Sequence, residues 1–112
     1  MTRVKSIAAR KHRKILDEAK GFKQARRRRI KSAKEAVLHA GQYAYIGRKL
    51  RKRDMRKLWI IRLNAAAREQ GLSYNKLIAG LKKNKIEIDR KILSDIAIKD
   101  PATFEKIVAK IK

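Results

Sequence analysis

The sequence predicts an all-α fold, in which a long basic helical N-terminal extension is followed by a small compact helical domain. Residues 24–70 contain no proline and are rich in Ala, Arg, Lys and Leu, which are good helix formers. After Gly71, the apolar residues Tyr74, Leu77, Ile78 and Leu81 recur at i, i+3, i+4 and i+7, which is the spacing of one helix face. Alternation typical of extended backbone occurs only in a short link around Ile86 and Ile88.

Two helices are predicted in the first part of the chain. The first lies within Thr2 to Lys20 and ends at Gly21, since glycine commonly follows the last turn of a helix. The second spans Gln24 to Gln70, either as one helix or as two joined helices, and Gly71 ends it. Gly41 and Gly47 lie inside it, and a bend between them is expected, with an unbent helix as the alternative. At 1.5 Å per residue such a helix would be about 70 Å long, more than the width of a domain of this mass. We therefore expect it to enter a partner.

Three shorter helices are predicted after Gly71, each with its own start signal. Ser73 and Asp89 are candidate N-caps, and Asp100 precedes Pro101 at the first helical position. Together with the apolar end of the long helix, these helices close one core, and the expected domains are residues 1–57 and 58–112. The predicted core residues of the three helices are Leu77, Ile78, Leu81, Ile92, Leu93, Ile96, Phe104, Ile107 and Val108, and those of the long helix include Leu58, Trp59, Ile60, Ile61 and Leu63.

The charge is large and uneven. The chain has 33 basic and 10 acidic residues and a formal net charge of +23. Of these, 21 basic and 4 acidic residues lie in the first 58 positions, so the two parts carry +17 and +6. A segment this cationic repels itself until a polyanion neutralises it. A polyanionic partner is the leading inference.

Composition excludes several other classes of protein. There are no cysteines, which removes disulfide scaffolds, thiol nucleophiles and cysteine-based metal sites. The longest stretch without a charged residue runs from Ala36 to Gly47, far short of the roughly 20 apolar residues of a membrane span. His12 and His39 have no further ligand at metal spacing, and no phosphate-binding loop is present. We expect no enzymatic activity, no cofactor, no metal and no small-molecule substrate.

Basic clusters give the candidate nucleic-acid contacts. Four consecutive arginines on a helix point about 100° apart, so they cannot all contact one flat surface. Structured RNA, which can surround a helix on several sides, is a better partner for them. Tyr43 and Tyr45 are candidates for stacking on unpaired bases or for packing on a neighbour, and Gln42 for hydrogen bonds to base edges or sugar hydroxyls. The predicted RNA-binding residues of the extension are Arg3, Lys5, Arg10, Lys11, His12, Arg13, Lys14, Lys23, Arg26, Arg27, Arg28, Arg29, Lys31, Lys34, Gln42, Tyr43, Tyr45, Arg48, Lys49, Arg51, Lys52, Arg53, Arg56 and Lys57. Those of the body are Arg62, Arg68, Lys82, Lys83, Arg90 and Lys91.

Several motifs resemble the bacterial-type large-subunit ribosomal protein L-twenty family, over nearly the whole chain. They are Ala40-Gly-Gln-Tyr-Ala-Tyr, Arg51-Lys-Arg-Asp-Met-Arg-Lys-Leu-Trp-Ile-Ile-Arg, Gly80-Leu-Lys-Lys and Asp89-Arg-Lys-Ile-Leu. Thr2 stands where members usually have proline.

The resemblance implies a structural constituent of the large ribosomal subunit that binds its ribosomal RNA and acts early in assembly. It implies neighbouring large-subunit proteins as partners, no membrane, and a place in the cytoplasmic ribosome of a bacterium, with an organellar ribosome left open. Some relatives bind their own messenger RNA, a role that residues alone do not transfer. The alternative from the residues is a non-specific basic protein that compacts DNA; strong salt dependence is expected of both.

Overall fold

The computed structural model describes residues 6–111, and within them the chain forms five α-helices, one 3₁₀ turn and no strand. The prediction of an all-α fold is confirmed. The helices are α1 (Ile7–Glu18), α2 (Ile30–Glu69), α3 (Tyr74–Lys83), α4 (Arg90–Lys99) and α5 (Pro101–Ile111), and the 3₁₀ turn is Gln24–Arg27. The chain divides into two units, Met1–Lys49 and Leu50–Lys112. The domain division after residue 57 stays a prediction.

The first unit begins with α1, whose boundaries follow the predicted signals. The Ser6 side chain accepts a hydrogen bond from the Ala9 N–H, which caps the first turn. Gly21 follows the helix with φ +86°, a left-handed conformation that glycine adopts without a steric penalty. Ala19 and Ala33 are the fully buried residues described in this unit.

The long helix begins later than the sequence predicts. It starts at Ile30 and not at Gln24, because Gln24 has φ +54° and the next residues form a 3₁₀ turn. The N–H groups of Arg28 and Arg29 both donate to the Ala25 carbonyl. The prediction that Arg26 to Arg29 radiate from one α-helix is therefore wrong.

The end of α2 agrees with the stop that Gly71 predicts. The helix stops at Glu69, Gly71 has φ +76°, and the Leu72 N–H donates to the Ala67 carbonyl at 2.8 Å. This six-to-one hydrogen bond is the Schellman arrangement, which satisfies carbonyls left free by the last turn. Lys85 closes α3 in the same way with φ +54°, a position that the sequence did not indicate.

The core of the second unit is built by α3, α4, α5 and the last turns of α2. Its buried members are Leu63, Ala67, Leu77, Leu81, Leu93, Phe104 and Val108. Ile86 and Ile88, from the extended link between α3 and α4, pack against it. Three predicted core residues are wrong, since Leu58, Ile61 and Ile92 are exposed. Apolar character alone did not reveal which face of each helix turns inward.

The predicted N-caps of α3, α4 and α5 differ in whether their side chains accept a capping hydrogen bond. The Ser73 hydroxyl accepts from the Lys76 N–H at 3.5 Å, and Asp100 accepts from the Thr103 N–H at 3.1 Å. Asp89 occupies the N-cap position of α4, but its side chain makes no capping hydrogen bond. All three predicted caps lie at the predicted positions. The prediction that the Asp89 side chain caps α4 is wrong, because it makes no such hydrogen bond.

Candidate nucleic-acid interface

The main candidate surface is the middle of α2, where every residue from 38 to 58 is exposed. This stretch contains seven cations, Arg48, Lys49, Arg51, Lys52, Arg53, Arg56 and Lys57, against the single carboxylate of Asp54. We call it the cationic stretch. Ala and Leu favour a helix here, and straight-chain Arg and Lys lose little side-chain freedom in one. The backbone is therefore regular although its side chains bury nothing.

The cations surround much of this helix. With about 100° between successive residues, the seven cations occupy about two thirds of the circumference. The remaining third carries exposed apolar side chains, among them Tyr43, Leu50 and Leu58. A flat partner would meet only some of these cations. A partner that wraps the helix would meet all of them.

Two tyrosines in this stretch are open to solvent in different surroundings. Tyr43 is 71% exposed, and its ring lies 6.4 Å from that of His39 at an interplanar angle of 28°. Tyr45 is 56% exposed, and the Lys49 Nζ lies 4.4 Å from the centroid of its ring, a cation–π contact. Gln42 is also exposed. These groups are available for the stacking and hydrogen bonding predicted for them, and neither ring is packed in the core.

The candidate cations that precede the cationic stretch lie on three local structures. Residues Arg10 to Lys14 are exposed on α1, and Lys31 and Lys34 are exposed on the first turns of α2. Lys23 and Arg26 to Arg29 are exposed in and around the 3₁₀ turn, where a shallow pocket is lined by Gln24, Ala25, Arg27, Arg28 and Arg29. The fold thus gathers guanidinium groups through a turn and not through a helix face. Arg3 and Lys5 lie outside the described residues.

The candidate cations of the body are exposed with one exception. Arg62, Arg68, Lys82, Lys83 and Lys91 face solvent, whereas Arg90 is half-buried. The Arg90 Nε–H donates to the Tyr74 Oη at 2.8 Å. Sequence reasoning missed Tyr74, because its place in an apolar stripe identified it only as a core residue. No periodic spacing relates two residues 16 positions apart, so no sequence signal was available.

Two other kinds of functional feature are absent from residues 6–111. No group of three or more His, Asp or Glu side chains there could hold a metal ion. None of the helices in that range has the length and apolar character needed to cross a membrane.

Fold and surface together define a class, that of small all-helical proteins with cations displayed around an exposed helix. The family model described as Ribosomal protein L20 matches residues 2–107, and the chain belongs to this family. The resemblance stated from the motifs is confirmed. The protein is therefore a structural component of the ribosome and not an enzyme.

Curated relatives match the chain over its length. Three of them carry the name Large ribosomal subunit protein bL20. The protein from Leptothrix cholodnii is 56% identical and that from Hahella chejuensis 54%, both over 114 residues that cover 100% of this chain and 97% of the relative. The protein from Roseiflexus castenholzii is 52% identical over 110 residues, covering 96% of this chain and 94% of the relative.

Proposed function

We propose that this protein is a structural constituent of the large subunit of a bacterial cytoplasmic ribosome, that it binds large-subunit ribosomal RNA directly, and that it supports early assembly. Family membership and the names of the relatives support the large subunit as its place. The observation that carries direct RNA binding is the cationic stretch, in which seven cations stand on a helix that is exposed along 21 residues.

Charge and geometry together favour RNA as the partner. Arginine presents a planar fork that matches two phosphate oxygens, and its guanidinium also stacks on bases. Folded RNA brings phosphates from several strands together, so it can reach cations on two thirds of a helix circumference. The exposed rings of Tyr43 and Tyr45 add surfaces for unpaired bases, which structured RNA offers and duplex DNA does not.

The same surface supports the proposal of an early role in assembly. RNA that surrounds a helix must close around it, so the helix has to be in place before the RNA reaches its final packing. Neutralising closely spaced cations also removes their mutual repulsion, which stabilises the bound helix. Exposed apolar side chains such as Ile46 and Leu50 offer contacts to neighbouring large-subunit proteins.

The alternative, a protein that compacts DNA, also uses phosphate contacts and also weakens with salt. A competition experiment separates the two. Labelled large-subunit ribosomal RNA, folded in magnesium, is bound by the full chain and challenged with unlabelled RNA or with duplex DNA of equal phosphate concentration.

We expect the unlabelled RNA to compete far better than the DNA. Equal competition at every salt concentration would overturn the proposal and favour the alternative. As a second readout, we expect the protein to co-sediment with the large subunit in a sucrose gradient of cell lysate.

A further inference from the structure

We propose that Arg90, held in place by Tyr74, is a preorganised anchor for one RNA phosphate in the second unit. This inference rests on the proposed function and adds to it a specific contact outside the cationic stretch. Its starting point is the hydrogen bond from the Arg90 Nε–H to the Tyr74 Oη, at 2.8 Å.

Tyr74 is a fixed acceptor, because its ring is partly buried against the core cluster. It is the first residue of α3, and Arg90 is the first residue of α4. The link between the two helices is held to the core by Ile86 and Ile88. Both ends of the hydrogen bond are therefore attached to packed structure, and the guanidinium is restrained at its Nε.

The hydrogen bond leaves the binding edge of the guanidinium free. Arginine has five N–H donors, of which Tyr74 uses the one on Nε. The four N–H groups on the two Nη atoms are not used by this bond, and one from each can donate to two oxygens of the same phosphate. Because the guanidinium is already held, it has less freedom to lose when the phosphate binds.

This arrangement differs from that of the other cations in the same unit. Lys82, Lys83 and Lys91 are exposed, and an ammonium on a four-carbon stem acts as a point charge without a fixed direction. Arg90 is half-buried and is the one cation of the body candidates for which the structure gives a side-chain hydrogen bond, within the described residues. We infer that Arg90 fixes a position on the RNA, whereas these lysines supply attraction without a defined orientation.

A purely structural role is the competing explanation, in which the pair only joins α3 to α4. Stability and RNA affinity distinguish the two roles. A structural link would affect the unfolding temperature and leave the affinity of the folded protein unchanged. A preorganised anchor would affect affinity in the folded protein.

The experiment measures binding of the full chain to folded large-subunit RNA at fixed magnesium and at several salt concentrations. The variants are Tyr74→Phe, which removes only the acceptor, Arg90→Lys, which keeps the charge, and Arg90→Met, which removes it. Lys91→Met is the matched control, because it deletes the adjacent cation. Thermal unfolding identifies the temperature at which each variant is folded.

We expect Arg90→Met to weaken binding about tenfold and Tyr74→Phe about threefold, in line with charged and ordinary hydrogen bonds. The slope of log affinity against log salt should fall by about 0.9 in Arg90→Met and stay unchanged in Tyr74→Phe and Arg90→Lys. Arg90→Lys should nevertheless lose affinity, and Lys91→Met should lose less than Arg90→Met.

Unchanged affinity in both Tyr74→Phe and Arg90→Lys would overturn the inference, whatever happens to their stability. If Tyr74→Phe does not fold, the RNA affinity of Arg90→Lys alone tests the inference. This variant keeps the positive charge and much of the aliphatic part of the side chain. Failure of the wild type to prefer folded RNA over duplex DNA would instead overturn the proposed function, so the two failures are distinguishable.

Discussion

The cationic stretch and the core of the second unit are both helical, and they are stabilised by different means. From residue 38 to 58 of α2, no side chain is buried. In α3, α4 and α5, by contrast, apolar side chains at helical spacing fill a common core that includes Leu77, Leu93 and Phe104. The core buries its apolar side chains within the chain itself. The cationic stretch leaves its side chains exposed, where a partner can contact them.

The two regions differ because charged side chains cannot be buried without a partner, whereas apolar side chains can. A buried cation without a partner is costly, so a helix with seven cations over two thirds of its circumference cannot form a core of its own. Burial of a leucine, in contrast, contributes about 1.5 to 3 kcal/mol. Mutations of buried core residues should therefore lower stability, and mutations of the Arg and Lys side chains of the cationic stretch should weaken RNA binding.

The largest stability effect is expected from Leu77→Ala. Leu77 is fully buried, so the change should lower the free energy of unfolding by about 2 to 5 kcal/mol through lost burial and the cavity left behind. Chemical denaturation followed by circular dichroism measures it. Ile98→Ala is the control, because Ile98 is 56% exposed, and its effect should stay within about 0.5 kcal/mol. Equal effects would show that the core is wrongly assigned.

A pair of glycine-to-alanine substitutions distinguishes the two regions, because the same substitution should stabilise the helix of the cationic stretch and destabilise the core of the second unit. At Gly47 an added Cβ meets nothing within 4 Å, so Gly47→Ala should stabilise the free helix by up to about 1 kcal/mol. At Gly80 the added Cβ would lie 3.0 Å from the Ile111 Cβ and 3.3 Å from its carbonyl oxygen.

Crowding at Gly80 should exceed the gain in helix propensity, since overpacking costs about 1 to 3 kcal/mol. We expect Gly80→Ala to lower the unfolding temperature and Gly47→Ala to raise helicity in circular dichroism. A higher unfolding temperature for Gly80→Ala would mean that the end of α5 moves away freely.

The smallest effect is expected from the pH dependence of the α5 cap. The Thr103 hydroxyl and then the Thr103 N–H donate to the Asp100 carboxylate and lower its pKa, and Lys106 adds to this effect. A lowered pKa means that the cap contributes stability above the ordinary value near 3.8, and that this contribution is lost as the pH falls through the folded-state pKa.

Thermal unfolding at pH 7 and at pH values below 4 measures this contribution. Asp100→Asn should lower the unfolding temperature slightly at pH 7 and flatten its decline at acid pH. Asp89→Asn is the matched control, because the Asp89 side chain makes no capping hydrogen bond. The same response in both variants would exclude a specific role of the Asp100 cap.

The sequence predicted those features of the fold that depend on local chemistry. Gly71, Ser73 and Asp100 end or begin helices where expected, since a left-handed residue and a capping oxygen act within a few positions. The start of α2 was missed, because Gln24 adopts a left-handed conformation that glutamine seldom takes.

Exposure was harder to predict than helicity. Leu58, Ile61 and Ile92 are apolar but lie on outward faces, and which face turns inward depends on the packing of all the helices together. The cations of the candidate interface could be named from the sequence because they occur in dense runs, and their role in RNA binding stays a prediction. The bond between Arg90 and Tyr74 was not, since it depends on how two helix starts meet in the folded chain.

We propose that the cationic stretch, and not net charge in general, binds the RNA. This proposal is tested by two full-length variants with equal loss of charge. One replaces Arg48, Lys49, Arg51, Lys52 and Arg53 with Gln, and the other replaces the exposed Lys76, Lys85, Lys99, Lys106 and Lys110 with Gln.

The measurement is the affinity of each variant for folded large-subunit RNA over a range of salt concentrations. Each lost phosphate contact should reduce the salt slope by about 0.9, so the first variant should lose up to about 4.5 in slope and most of its affinity. The second variant should stay close to the wild type. Equal losses in the two variants would overturn this proposal and leave net charge as the only determinant of binding.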